Sequence, residues 1–180
     1  MSILPNVLTL ARLLMVPVFL YVYFRFPDQR VYAFGVYAAA MLTDALDGWL
    51  ARALNSVSKF GMLMDPLADK LMTLSAIVCL TISGLLPYPV LLLVAVREIA
   101  MIVGGFLAAR TGIVISADIS GKLATLLFTL SIALMMPWHG NAALSAVGGF
   151  LIYPAVALSF YAAIHYAILL VKKTATAKPH

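Results

Sequence analysis

The stretch that decides the interpretation of this chain is TDALDGWLARALNSVSKFGMLMDPLADK, residues 43–70. It contains four aspartates, at positions 44, 47, 65 and 69, whereas the whole chain of 180 residues has only seven acidic residues. Spacings of three and four residues place side chains on one face of a helix. If the two aspartate pairs lie on two helices joined by a short connection, four carboxylates converge on one small volume.

Such a cluster of carboxylates calls for metal ions. In a low-dielectric site the carboxylates repel one another and become protonated unless cations neutralise them. Mg²⁺ and Mn²⁺ accept oxygen ligands, and two such ions suit phosphoryl chemistry because they clamp the attacking and leaving oxygens. The sequence therefore predicts a site for Mg²⁺ or Mn²⁺, with two ions, held by Asp44, Asp47, Asp65 and Asp69.

A structural interpretation of the same aspartates competes with this prediction. Asp44 and Asp47 are then surface residues at a helix end, and Asp65 is a helix N-cap ahead of Pro66. The small residues between the aspartates favour a binding site instead, because small side chains let a ligand approach the backbone and let helices pack closely. Arg52 adds a planar cation suited to phosphate.

The composition indicates an all-α, polytopic membrane protein with one domain over residues 1–180. Hydrophobic residues make up 64% of the chain, the mean hydropathy is +1.05, and only 11% of residues are charged. A soluble domain of this length cannot bury so much apolar surface. A short interfacial helix is predicted for PNVLTLARL, residues 5–13. Six apolar segments of about 20 residues are predicted to cross the membrane: residues 8–25, 31–51, 62–84, 88–110, 119–137 and 147–171.

The distribution of basic residues predicts the orientation. Six spans place both termini on one side, and most basic residues fall on that side: Arg52, Lys59, Arg110, Lys122, Lys172, Lys173 and Lys178. The positive-inside rule then puts both termini and the aspartates at the cytoplasmic face. The net charge of +5 reflects this bias toward anionic headgroups, so no nucleic-acid partner is expected.

The aspartate stretch resembles the signature of the CDP-alcohol phosphotransferase family, D-x2-D-G-x2-A-R-x8-G-x3-D-x3-D. Every spacing is met by eight positions: Asp44, Asp47, Gly48, Ala51, Arg52, Gly61, Asp65 and Asp69. The flanking elements PNVLTLAR, REI and GK-x2-T are similar to those of phosphatidylglycerophosphate synthases and CMP-forming cardiolipin synthases. The resemblance covers the whole chain, because the family's architecture also has six helices.

The resemblance implies a reaction. A phosphatidyl group passes from CDP-diacylglycerol to an alcohol, and CMP leaves. Asp44, Asp47 and Asp65 are then metal ligands, and Asp69 is both a ligand of the second ion and the general base. The resemblance further implies a homodimer, and the setting expected is a bacterial cytoplasmic membrane.

The resemblance also implies a pocket for the CDP-lipid. Its lining is drawn from the motif and from the N-terminal segment: Asp44, Gly48, Ala51, Arg52, Gly61, Asn6 and Thr9.

The acceptor alcohol is the open question, and Arg97, Arg110 and Lys122 are the candidate acceptor-binding residues. Arg97 lies well inside a predicted span, so its charge needs a partner, either an acceptor phosphate or an aspartate. Glu98 is adjacent but is expected to point to another side of the helix. Lys122 has an alternative role as a snorkelling interfacial lysine.

Two positions differ from phosphatidylglycerophosphate synthases, which commonly have an arginine and a lysine where this chain has Gly105 and Ala124. The difference removes two phosphate contacts. Glycerol 3-phosphate is still the first expectation for the acceptor. The alternative is phosphatidylglycerol, the acceptor of CMP-forming cardiolipin synthases.

Two further classes use intramembrane carboxylates. A transporter would show acids near mid-bilayer and broken helices in matching halves. A membrane prenyltransferase would carry two aspartate motifs far apart in the chain. Consecutive helices with one compact motif favour phosphatidyl transfer over both.

Overall fold

The computed structural model describes residues 3–53, 59–110, 119–137 and 141–176. Around the aspartate motif, at residues 44–53, 59–67 and 69, it describes the backbone alone. Within these ranges every regular element is an α-helix, and there are six: α1 (Ile3–Arg25), α2 (Val31–Ala53), α3 (Lys59–Ile82), α4 (Tyr88–Arg110), α5 (Ile119–Met135) and α6 (Ala142–Thr176).

The six helices match the six predicted apolar segments, and the main difference is at the N-terminus. PNVLTLARL does not form a helix of its own, because α1 runs without interruption from Ile3 to Arg25. Pro5 lies in the first turn of α1, where a backbone N–H has no partner within the helix, so its missing donor costs little. The prediction of a separate interfacial helix was therefore wrong.

Two connections show local signals that end or begin a helix. Gly84 follows α3 with a φ of 73°, a left-handed conformation that favours glycine, and the amide of Leu85 bonds back to the carbonyl of Leu80 at 2.9 Å. Asn141 caps α6, because its Oδ1 accepts from the amides of Ala143 at 3.1 Å and Leu144 at 3.2 Å.

The helices pack in an order that places α3 at the centre. It contacts α1, α2, α4 and α5, while α6 lies along α5 and also contacts α4. Apolar residues of all six helices contribute to the core around α3, among them Phe19, Tyr37, Met72, Val94, Ile132 and Ile152. At the end opposite the aspartates, the hydroxyl of Tyr23 lies 2.8 Å from Ser83 Oγ and donates to the carbonyl of Cys79 at 3.2 Å.

The outer surface is apolar. On α4 a row of large side chains at helical spacing is about half exposed or more: Leu92, Val96, Ile99, Val103 and Phe106. Two stretches of the described residues, Tyr88–Phe106 and Ala142–Thr174, are long and apolar enough to cross a membrane. Shorter apolar helices cover Val31–Thr43, Lys70–Ile82 and Ile119–Met135.

Helices α5 and α6 approach each other closely at Gly148. Ser131 Oγ donates to the carbonyl of Gly148 at 2.6 Å. A Cβ added at Gly148 would lie 2.6 Å from Met135 Cγ and 2.9 Å from the carbonyl oxygen of Ser131. Backbone cannot move away as a flexible side chain can, so this approach requires glycine.

Gly148→Ala is expected to lower the thermal stability of the purified protein in detergent, because overpacking costs about 1–3 kcal/mol. Gly149→Ala is the matched control, since its Cβ would meet only Met135 Cε, at 3.9 Å. Alanine favours a helix over glycine, so the control should leave the melting temperature unchanged or raise it. Equal melting temperatures for the two variants would contradict the close α5–α6 contact.

Candidate functional site

The two aspartate pairs lie on packed helices that run in opposite directions. Residues 54–58 join α2 to α3, and these two helices contact each other. Five residues reach at most about 18 Å, whereas a helix of 23 residues is about 35 Å long. The connection cannot return along α2, so α2 and α3 are antiparallel neighbours.

Counting from the facing helix ends shows that the aspartates lie at matching levels. Asp47 is six residues before Ala53, and Asp65 is six residues after Lys59. Asp44 is nine residues before Ala53, and Asp69 is ten after Lys59. At about 1.5 Å per residue, the members of each pair differ in level by less than about 2 Å.

The helix boundaries exclude the capping interpretation. Asp65 is the seventh residue of α3, so it is not an N-cap, and Asp44 lies two and a half turns inside α2 rather than at its end. The helical backbone predicted at all four aspartates is confirmed. Their side chains lie outside those the structure describes, as do those of Gly48, Ala51, Arg52, Gly61, Asn6 and Thr9.

The donor set fits a hard divalent cation. Among residues with described side chains, no three His, Cys, Asp or Glu groups gather. The four aspartates lie outside that set, and their backbone positions bring two oxygen-donor pairs to adjacent levels of one helix pair. An all-oxygen set suits Mg²⁺ or Mn²⁺ rather than zinc.

A chain of charged side chains lies beside this helix pair. Lys70 Nζ on α3 is 3.0 Å from Glu98 Oε2 on α4, and Arg97 Nη1 donates to Glu98 Oε1. Arg97 Nε also donates a long hydrogen bond, 3.5 Å, to the carbonyl of Ser159 on α6. These contacts tie three helices together one residue beyond Asp69.

The expectation for Glu98 was wrong. Neighbouring residues on a helix leave the backbone in different directions, which predicted that Glu98 would point away from Arg97. Instead the two side chains form an ion pair. The long arginine side chain reaches around the helix, and Lys70 draws the carboxylate to the same place.

The three candidate acceptor-binding residues lie at different levels. Lys70 is eleven residues from the start of α3, and Glu98 is twelve from the end of α4, so Arg97 lies near the level of Asp69. Arg110 is the last residue of α4, thirteen residues from Arg97, or about 20 Å along the helix. Lys122 lies in the first turn of α5 and is exposed. One small phosphate therefore cannot contact both Arg97 and Arg110 at their normal reach.

Arg12 on α1 adds a buried positive charge. Its side chain is only 1% exposed, and α1 packs against both aspartate helices. A charge so deeply buried in an apolar chain requires compensation.

Comparison with known proteins gives the family. The sequence model described as CDP-alcohol phosphatidyltransferase matches residues 2–169. The chain belongs to the CDP-alcohol phosphatidyltransferase family. The enzyme class expected from the aspartate signature is thereby confirmed, and membership of this family supersedes the transporter and prenyltransferase alternatives.

Three similar proteins carry three different names. A protein of Mycobacterium tuberculosis named as a phosphatidylglycerophosphate synthase is 40% identical over 149 residues, 80% of this chain and 71% of the relative. CDP-diacylglycerol–glycerol-3-phosphate 3-phosphatidyltransferase of Bacillus subtilis is 33% identical over 135 residues, 68% of this chain and 70% of its own length. A CMP-forming cardiolipin synthase of Streptomyces coelicolor is 36% identical over 153 residues, 81% of this chain and 71% of its own length.

Sequence reasoning missed Lys70 and Glu98. Both belong to segments it singled out, since Lys70 ends the aspartate stretch of residues 43–70 and Glu98 is the middle residue of REI. An acid beside Arg97 was available as a partner. That it also pairs with Lys70 depends on the packing of α3 against α4, which no local pattern specifies.

Proposed function

We propose that this enzyme transfers the phosphatidyl group of CDP-diacylglycerol to glycerol 3-phosphate and releases CMP, with Mg²⁺ or Mn²⁺ as cofactor. The observation that supports it best is the antiparallel α2–α3 pair, on which the two aspartate pairs lie at matching levels. The relatives named for glycerol-3-phosphate transfer support the choice of acceptor.

In this mechanism Asp69 takes the proton of the acceptor hydroxyl as its oxygen attacks the phosphorus that carries diacylglycerol. A new P–O bond forms, the bond to the bridging pyrophosphate oxygen breaks, and CMP leaves with that oxygen. Asp44, Asp47, Asp65 and Asp69 would hold two divalent ions, and such ions would supply positive charge to stabilise the leaving CMP.

The remaining motif residues bind the donor. Gly48, Ala51 and Gly61 leave room for the cytidine diphosphate, Arg52 binds its phosphate, and Asn6 and Thr9 on α1 complete the pocket.

Arg97 binds the anionic group of the acceptor. Its level along α4 matches that of Asp69, so an acceptor held there brings its hydroxyl toward the base. Arg110 and Lys122 lie at the helix ends, where they attract anionic substrates from the cytoplasm.

The alternative acceptor is phosphatidylglycerol. Gly105 and Ala124 favour it, because they occupy the positions where phosphatidylglycerophosphate synthases commonly have an arginine and a lysine. An added Cβ at Gly105 would have no atom within 4 Å, and Ala124 is buried. Neither position supplies a cation, and a phosphodiester carries one charge where glycerol 3-phosphate carries two. The Streptomyces coelicolor relative is consistent with this alternative.

The proposed setting is a bacterial cytoplasmic membrane, in which one domain of six helices spans the bilayer and associates as a homodimer. The exposed apolar rows of α4 and α6 suit contact with lipid chains. The basic helix ends near Arg110 and Lys122 suit the cytoplasmic face.

Purified protein is expected to release CMP from CDP-diacylglycerol when Mg²⁺ or Mn²⁺ and glycerol 3-phosphate are present. Phosphatidylglycerol in place of glycerol 3-phosphate tests the alternative acceptor. Omission of the acceptor or addition of EDTA should each abolish release. No CMP with any glycerol-, inositol- or serine-type acceptor would contradict the proposal.

Asp69→Asn is expected to lower turnover by about 10²–10⁴-fold, the usual contribution of a general base. Binding of CDP-diacylglycerol, measured by the rise in melting temperature that it causes, should persist. Asp28→Asn, at an exposed turn after α1, is the matched control and should keep full activity. Equal losses of binding and rate would assign Asp69 chiefly to metal ligation.

A further inference from the structure

The carboxylate of Glu98 is held by cations from two helices. Oε2 lies 3.0 Å from Lys70 Nζ on α3, and Oε1 accepts from Arg97 on its own helix. The side chains of Lys70, Glu98 and Arg97 are 20%, 11% and 11% exposed. Charges buried to this extent depend on one another, because removing one leaves the others uncompensated.

Arg97 is held at two points. Nη1 donates to Glu98, and Nε donates to the carbonyl of Ser159 on α6. An arginine has five N–H donors in a planar fork, so these two contacts fix its orientation and leave donors for an anion. The guanidinium is thus set in place before a substrate arrives.

Lys70 directly follows Asp69, the proposed general base, in the chain. The ion pair of Lys70 with Glu98 therefore lies one residue from that base. The Lys70–Glu98 ion pair fixes the height of α4 relative to α3, and with it the height of Arg97 relative to Asp69.

We propose that Glu98 is a positioning residue, which holds Arg97 at the level of Asp69 for the anionic group of the acceptor. Glu98 contacts neither substrate and acts through Arg97 and Lys70. This inference rests on the proposed function, which assigns Arg97 to the acceptor.

Glu98→Gln keeps the size of the side chain and removes its charge, so Arg97 loses its anchor. The KM for the acceptor is expected to rise on the order of tenfold, as for other residues that orient a binding group. The KM for CDP-diacylglycerol should change by less than about twofold, since the donor binds the aspartate motif. Glu98→Asp keeps the charge but is one methylene shorter, and should give a smaller rise.

The test measures CMP release while each substrate is varied in turn, with whichever of glycerol 3-phosphate and phosphatidylglycerol supports turnover. The variants are Glu98→Gln, Glu98→Asp, Arg97→Gln and the double variant Glu98→Gln/Arg97→Gln. Asp28→Asn, another carboxylate-to-amide change, is the control and should match the wild type. In the Arg97→Gln background, Glu98→Gln should raise the acceptor KM by less than about twofold, because coupled residues are not additive.

Three results would overturn the inference: an unchanged acceptor KM in Glu98→Gln, equal rises in both KM values, or additive effects in the double variant. If Glu98→Gln does not fold, Glu98→Asp decides, and an unchanged acceptor KM in it overturns the inference. An unchanged acceptor KM in Arg97→Gln would instead remove Arg97 from the proposed function, and the role of Glu98 with it. A raised KM in Arg97→Gln with a wild-type value in Glu98→Gln would overturn the role of Glu98 alone.

Discussion

Residues 54–58 join α2 to α3, and this short connection forces the two helices to lie side by side in opposite directions. The rest of the site depends on that constraint. It places Asp47 and Asp65 at one level along the helix pair, although they are 18 residues apart in the chain. It likewise places Asp44 near the level of Asp69, 25 residues away.

Contacts between charged and polar groups connect α3, α4 and α6. An apolar chain tolerates buried ions only where partners are close, and α3, α4 and α6 meet at such partners. The single carboxylate of Glu98 contacts both Lys70 and Arg97, so the three side chains together keep one net positive charge, and the carbonyl of Ser159 accepts from a further donor of Arg97. The same contacts that make these charges tolerable also fix a cation near the level of Asp69.

Most of the fold, including the two helices on which the aspartates lie, could be predicted from the sequence. The apolar segments predicted the six helices, and the turn at Gly84 follows α3 where the third segment was expected to end. The start of α6 at Ala142, with Asn141 as its cap, was not predicted, because the sixth segment was expected to begin at residue 147. The uninterrupted start of α1 was not predicted, since Pro5 is a breaker inside a helix and is harmless in a first turn. The partners of Lys70 and Arg97 were not predictable either, because they depend on how α3, α4 and α6 pack. The family signature predicted the enzyme class, which the comparison with known proteins confirmed.

Isotope labelling of the acceptor shows whether its glycerol enters the lipid product. Purified protein is incubated with CDP-diacylglycerol, Mg²⁺ and glycerol 3-phosphate labelled with ¹³C in its glycerol carbons, and the lipids are analysed by mass spectrometry. The account predicts a phosphatidylglycerophosphate that carries the label, formed in equal amount to CMP. CMP that accumulates while no labelled lipid forms would contradict it.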